Sequence, residues 1–268
     1  MSSIRQLVIA SRDYNGAVSE ICAAFGSFVT FVDPELNSLG LRNALIPIGD
    51  SFFEVVSPII EGTTAERYIN KFGEGQVGRE ATGYMIEMQV SDIVDVEKRM
   101  TNVGARILMR PGRDAEDKSK PYEVTGDLNV PGLSGIHWHP KDIGVIMETA
   151  EHHPPEDWLY AGRAWKTDIR ERMKVGLGFA GVTVAVNGDP IEMAMKWSRG
   201  LGRPIASSEP STVILEDGGR VKFRRRRNEK EDGLVEVDVY SANSKETGRE
   251  FRMCGILVRL VPKMGPSL

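Results

Sequence analysis

Cysteine is almost missing from this chain: Cys22 and Cys254 are the only two in 268 residues, each isolated among apolar neighbours. That excludes a cysteine-built metal cluster and makes a reducing, cytoplasmic compartment the expectation. Histidine is scarce and confined. All four, His137, His139, His152 and His153, fall in one short stretch, so any histidine chemistry must come from there. No apolar run approaches the roughly 18 residues that a membrane span needs. The opening Met1-Ser-Ser-Ile-Arg-Gln enters a strand at once, without the charged-then-apolar order of a signal peptide. A dominant sign of charge is lacking too. With a net charge of −4 and a pI near 5.7, nothing calls for nucleic acid or an anionic membrane as partner. The one basic run, Lys222-Phe-Arg-Arg-Arg-Arg227, is followed by Glu229, Glu231 and Asp232 and lacks the repeated aromatic interleaving that supports base stacking, so it reads as neutralised, solvent-facing charge.

What is present is a globular composition, 41% hydrophobic and 27% charged, in a chain long enough for two domains. A phrase recurs in it: a short alternating apolar run, an Asp, then an amphipathic helix. It reads Leu7-Val-Ile-Ala-Ser-Arg-Asp13, Ile86-Glu-Met-Gln-Val-Ser-Asp92 and Val182-Thr-Val-Ala-Val-Asn-Gly-Asp189. Asp is an N-cap residue, and Gly26, Gly104 and Gly202 stand where helix C-caps belong. After the first helix come extended runs at Phe28 to Asp33, Arg42 to Ile48 and Phe52 to Val56. After the second come strands near Ile107, at Ile136 to His139 and at Val145 to Thr149. Each front unit is therefore β-α-β-β-β, and the class is α+β. Residues 110–121 are charged and carry Pro and Gly, which reads as a mobile loop. The expected division is a complete two-unit domain over 1–151, a linker over 152–173 bearing Trp158, Tyr160 and Trp165, and a trimmed pair of units over 174–268.

The pairing of units resembles the vicinal oxygen chelate superfamily of glyoxalases, epimerases, extradiol dioxygenases and bleomycin-resistance proteins. His139-Pro-Lys-Asp-Ile-Gly-Val-Ile-Met-Glu148 is similar to the ending of its methylmalonyl-CoA epimerase-like branch, one residue shorter between Asp142 and the glutamate. Gly49-Asp-Ser-Phe-Phe-Glu54-Val-Val-Ser-Pro58 looks like the matching strand of the first unit. The resemblance implies a cup of eight strands with a divalent metal held by the first and fourth strands of each unit. Period-two alternation puts Gln6, Val8 and Ala10 inward on the first strand, and Met85, Glu87 and Gln89 inward on its counterpart. The implied ligand positions are then Gln6, Glu54, Met85 and Glu148. Because a thioether suits such ions poorly, the tentative metal set is Gln6, Glu54 and Glu148, with Zn, Ni, Co, Mn or Mg as the ion, or none. In the back half the same positions fall on Gly181, Lys222, Leu234 and Arg259, which offer no metal ligand.

A carboxylate inside an apolar strand is costly to bury unpaired, so Glu54 and Glu148 read as working residues. With His139 they form the candidate catalytic set; Tyr84, Met85, Glu87 and His137 form the candidate substrate contacts. His152 and His153, in a Pro-rich connector, are expected at the surface. The implied activity is a glyoxalase- or epimerase-like lyase or isomerase acting on a small carbonyl- or carboxylate-bearing metabolite, with a homodimer as a possible assembly. The alternatives are a metal-free, non-catalytic small-molecule-binding protein and, more distantly, a ring-cleaving dioxygenase, whose two-histidine, one-carboxylate iron set is missing here.

Overall fold

Among the described residues each half of the chain folds into a seven-stranded mixed sheet, and six strands of the two sheets follow the same order while the seventh stands at opposite edges. The computed structural model describes residues 2–110, 133–162, 165 and 175–263; the expected loop at 111–121 lies outside them. The front half runs β1 (Ser2–Ser11), α1 (Tyr14–Phe25), β2 (Leu41–Ile48), β3 (Ser51–Pro58), α2 (Thr64–Phe72), β4 (Ala81–Val90), α3 (Ile93–Asn102), β5 (Ile107–Met109), β6 (Leu133–Trp138), α4 (Pro140–Ile143) and β7 (Ile146–His152). The back half runs β8 (Gly176–Val186), α5 (Pro190–Leu201), β9 (Ile205–Ala206), β10 (Glu209–Ile214), β11 (Arg220–Arg225), β12 (Gly233–Ser241), β13 (Glu250–Met253) and β14 (Ile256–Pro262).

In the front sheet β1 lies parallel to β3 and antiparallel to β4, which lies parallel to β7. In the back sheet β8, β11, β12 and β14 repeat those relations. The recurring Asp is the reason the helices start where they do. Asp13 accepts from Gly16 N, Asp92 from Asp95 N, and Asp189 from Ile191 N and Glu192 N. Each thereby satisfies a donor that a helix start would leave unpaired. On α1, Ala17, Ile21 and Phe25 recur at four-residue spacing and are buried together.

Two expectations need correction. The run Phe28 to Asp33 is not a strand but a single bridge between Phe31 and Leu45, so among the described residues the front sheet has seven strands, not eight. Trimming is also not confined to the back half. The unit β8-α5-β9-β10-β11 is complete, while the fourth unit replaces its helix with a 3-10 turn at Ser244–Glu246. The longest element not foreseen is α2, which sits between the two front units; the 3-10 helix Pro34–Leu39 and the short strands β9 and β13 were not foreseen either. The cap of α2 was legible as Thr63 with Glu66 three residues on, and Thr63 does accept from Glu66 N at 3.1 Å.

The helix-bearing faces of both sheets contribute to a common core. Leu7, Ile9, Phe25 and Phe53 from the front join Val182, Val184, Trp197 and Phe223 from the back. Phe53 meets Phe179 edge-on at 5.0 Å, and Trp197 donates to Ile143 O across the seam. At Gly83 any side chain would strike Leu234, which is how closely β4 and β12 pass. No described helix is long and apolar enough to cross a membrane.

Candidate functional site

The other face of the front sheet is the cup, and the strands divide it into two halves. In the apolar half, Val8, Ala10, Val56, Met85 and Ile146 pack under Ala65 and Ile69 of α2. The polar half gathers Gln6 from β1, Asn43 from β2, Glu54 from β3, Glu87 from β4, His137 from β6 and Glu148 from β7. Its three carboxyl residues are 6%, 5% and 2% exposed at Glu54, Glu87 and Glu148. Residues of the connector cover it: Trp158, Tyr160, Ala161 and Trp165 pack on Leu45, Phe52 and Ala150.

Two hydrogen-bond clusters hold these groups, one on Glu54 and Glu87 and one on Glu148. Gln6 Nε2 donates to Glu54 Oε2 at 2.9 Å and to Glu87 Oε1 at 3.0 Å. Asn43 Nδ2 donates to Glu54 Oε1 at 2.6 Å. Glu148 accepts from the Tyr160 hydroxyl at one oxygen and lies 3.0 Å from His137 Nε2 at the other. Gly135 leaves the room this requires, since a Cβ there would collide with Glu148 Oε1 and the Tyr160 hydroxyl. Glu87 Oε2 is buried without a hydrogen-bond partner among the described protein atoms. Burial pushes the Glu54 carboxyl up to about 7, against the pull of its Asn43 and Gln6 hydrogen bonds. Burial, reinforced by the charges of Glu148 and Glu54, raises Glu87 well above the usual carboxylate range. Burial and the neighbouring Glu148 raise the Tyr160 phenol likewise.

Several candidate residues lie elsewhere than expected. Met85 pairs in register with Val8 and sits in the apolar half; the residue opposite Gln6 is Glu87. His139 is outside the cup. Its Nδ1 accepts from Lys141 N, capping α4. Tyr84 packs edge-on against Tyr68 at 5.2 Å beside the apolar half, and burial raises its phenol to about 12. His152, expected at the surface, is buried: it stacks on Trp158 and accepts from Leu159 N, and burial with the nearby Arg5 lowers its pKa to about 3. His153 is exposed, as expected. Asn43 and Trp158 join the Glu54 cluster, and Tyr160 joins Glu148, without having been singled out for it. Asn43 carried a signal, a carboxamide in the otherwise apolar run Asn43-Ala-Leu-Ile.

The back cup is of another kind. A register shift after Leu234 turns that residue into the core and leaves Glu236 on the cup face. Glu236 meets Arg224 at 3.3 Å and Arg259 at 2.7 Å; Arg224 also pairs with Glu231, and Lys222 with Glu209. Open space lies elsewhere again. A cleft of about 370 Å³ at the seam of the halves is lined by Asp13, Glu20, Arg79, Arg252 and Cys254, remote from the buried glutamates.

No protein-family model matches the chain, and no curated protein matches it either. Solved structures do. A mutant of 4-hydroxymandelate synthase from Streptomyces coelicolor is similar over 89% of this chain and 71% of its own, with a TM-score of 0.60 at 13% identity. Methylmalonyl-CoA epimerase from Mycobacterium tuberculosis is similar over 56% of this chain and 87% of its own, with a TM-score of 0.41 at 19% identity. Its counterpart from Streptomyces coelicolor, a single-site variant, gives 56% and 96%, 0.41 and 21%. The likeness is one of fold: this chain has the vicinal oxygen chelate fold, with paired β-α-β units curled into a cup and then a second pair.

The metal that this fold implies does not fit the residues as they stand. Met85 is absent from the polar half, and both Glu148 oxygens are already engaged. Among the described residues, no three of His, Cys, Asp and Glu come together as a metal site.

Proposed function

We propose that the front cup is a proton-transfer site, and that the chain is a glyoxalase- or epimerase-type lyase or isomerase of a small carbonyl- or carboxylate-bearing metabolite. The observation that carries this reading is the grouping of the buried Glu54, Glu87 and Glu148 on one face of the front sheet, with hydrogen bonds that come from amides, a phenol and an imidazole rather than from Lys or Arg. Such a cluster is expensive to keep for packing alone. A carboxyl poised at about 7, as Glu54 is, suits removal of a proton beside a carbonyl at neutral pH. Glu54 is the base in this reading. Glu148, with Tyr160 and His137 at its oxygens, is the acid–base partner that returns the proton. Entry of substrate requires the 3-10 turn at Leu159–Ala161 to shift, because Trp158 and Tyr160 stand over the two clusters. The division into 1–151, 152–173 and 174–268 is part of this proposal, with the back pair serving structure rather than chemistry.

One observation favours the rival, a non-catalytic binding protein: α2 and the connector aromatics already fill both halves of the cup. Hydrogen exchange at carbon separates the two. In D2O, a panel of acyl thioesters, hemithioacetals and 2-oxo acids is followed by proton NMR for deuterium entering beside the carbonyl. The enzyme reading expects exchange with at least one of them, falling on the order of 10²-fold in Glu54→Gln and in Glu148→Gln. Ligands that raise the melting temperature without any exchange would establish the rival.

A further inference from the structure

The cup's two carboxamides are oriented by donors that cannot be reversed. An indole N–H only donates, so the Gln6 atom 2.7 Å from Trp158 Nε1 is the carbonyl oxygen, and the Gln6 NH2 must face Glu54 and Glu87. Asn43 is fixed in the same way. Asp33 N donates to Asn43 Oδ1 at 2.8 Å, which turns the Asn43 NH2 onto Glu54. Both amides thus present protons where a metal ligand must present a lone pair. Gln6 Nε2 bridges two carboxylates, the place that a cation would otherwise take between them.

We infer that Trp158 is the residue that makes this cup a metal-excluding site: by holding Gln6 Oε1 outward, it has the Gln6 amide replace the divalent ion that the fold elsewhere accommodates. Met85 contributes by removing the donor that β4 would supply two residues from Glu87 on the same face. The inference does not depend on whether the cup is catalytic, because metal content and turnover are read separately.

The test is metal retention. The chain is purified without chelator, incubated in turn with Mn²⁺, Co²⁺, Ni²⁺ and Zn²⁺, desalted, and its metal measured. Wild type is expected to keep less than about 0.1 ion per chain in the cup, and the Met85→His, Trp158→Phe double variant about one ion, lost again when Glu54→Gln is added. Any ion retained equally by wild type and by Glu54→Gln lies outside the cup and counts with the empty cup. A wild-type chain holding about one ion that Glu54→Gln removes overturns the inference, and so does a folded double variant that gains none. Should the double variant fail to fold, Gln6→His takes its place. It deletes the locked amide and supplies a nitrogen ligand, so it should gain an ion; a folded Gln6→His that gains none is equally fatal.

Discussion

Glu87 in the front cup and Glu236 in the back cup are both 5% exposed, and each lies on the strand antiparallel to the first strand of its sheet. Their fates are opposite. Burial raises Glu87, and its carboxylate neighbours raise it further. Burial raises Glu236 as well, but the Arg259 hydrogen bond and the charges of Arg259 and Arg224 more than offset it and hold the group below the usual range. Two sheets with the same central strand order thus hold one solution each to the buried carboxylate. The back cup neutralises it with guanidinium partners, as a structural ion-pair network does. In the front cup Glu54 and Glu87 share the Gln6 amide instead. Depth of burial is therefore no guide to function here; the sign of the company is.

That contrast breaks most sharply if the back-cup cations are removed. Arg224→Met with Arg259→Met would leave Glu236 buried beside Asp238 with its two closest cations gone, and should cost roughly 3–5 kcal/mol at pH 7. Urea unfolding measures it. A loss that Glu236→Gln does not recover would mean that the arginines act through packing instead.

The front cup predicts a pH dependence of its own. Glu54 holds its proton more tightly folded than unfolded, so its contribution to stability is complete below the ordinary carboxylate range and is lost as pH rises through about 7. Across that window the cost is on the order of 3 kcal/mol. His152, held neutral by burial, works the other way over this window, and Glu87 works the same way as Glu54, but both are common to wild type and Glu54→Gln. The melting temperature of wild type relative to Glu54→Gln should therefore fall from pH 5 to pH 8. A difference that does not change with pH would place the titrating group elsewhere. The back cup works in reverse. Arg224 and its hydrogen bond hold Glu231 at about 2, against the opposing effect of burial, so that pair stays formed across the same window.

How much of this contrast could be read from residues alone depends on range. Local rules delivered the fold, because Asp13, Asp92 and Asp189 act within three residues and the apolar alternation around Leu7 and Ile86 fixes which side meets the helices. The same alternation put Gln6, Glu54, Glu87 and Glu148 on one face. It could not tell Met85 from Glu87, since both point inward and the division of the cup is made by α2 and by register shifts between β1 and β4. Nor could it bring Trp158 onto Gln6, 152 positions away in sequence. A contact at that separation leaves no periodic trace.

The smallest expected effect concerns α2, which covers the apolar half of the front cup through Ala65 and Ile69. Thr63 caps this helix by accepting from Glu66 N, while Glu66 itself accepts from Gly62 N. Thr63→Ala removes the cap and leaves that donor without its partner, at a cost of about 1 kcal/mol. In a chain of this size that corresponds to a drop of roughly 2–4 °C in melting temperature. Because the lost bond is local, amide exchange should quicken at Glu66 and Arg67, and at residues of the cup floor such as Val8 and Met85 if α2 is what shields them. The back sheet, whose cup is lined by ion pairs, should keep its exchange rates in the same sample. Exchange that quickens equally in both sheets would show that the front cup opens only with the whole molecule, through the core that the halves share, and that α2 is not its cover.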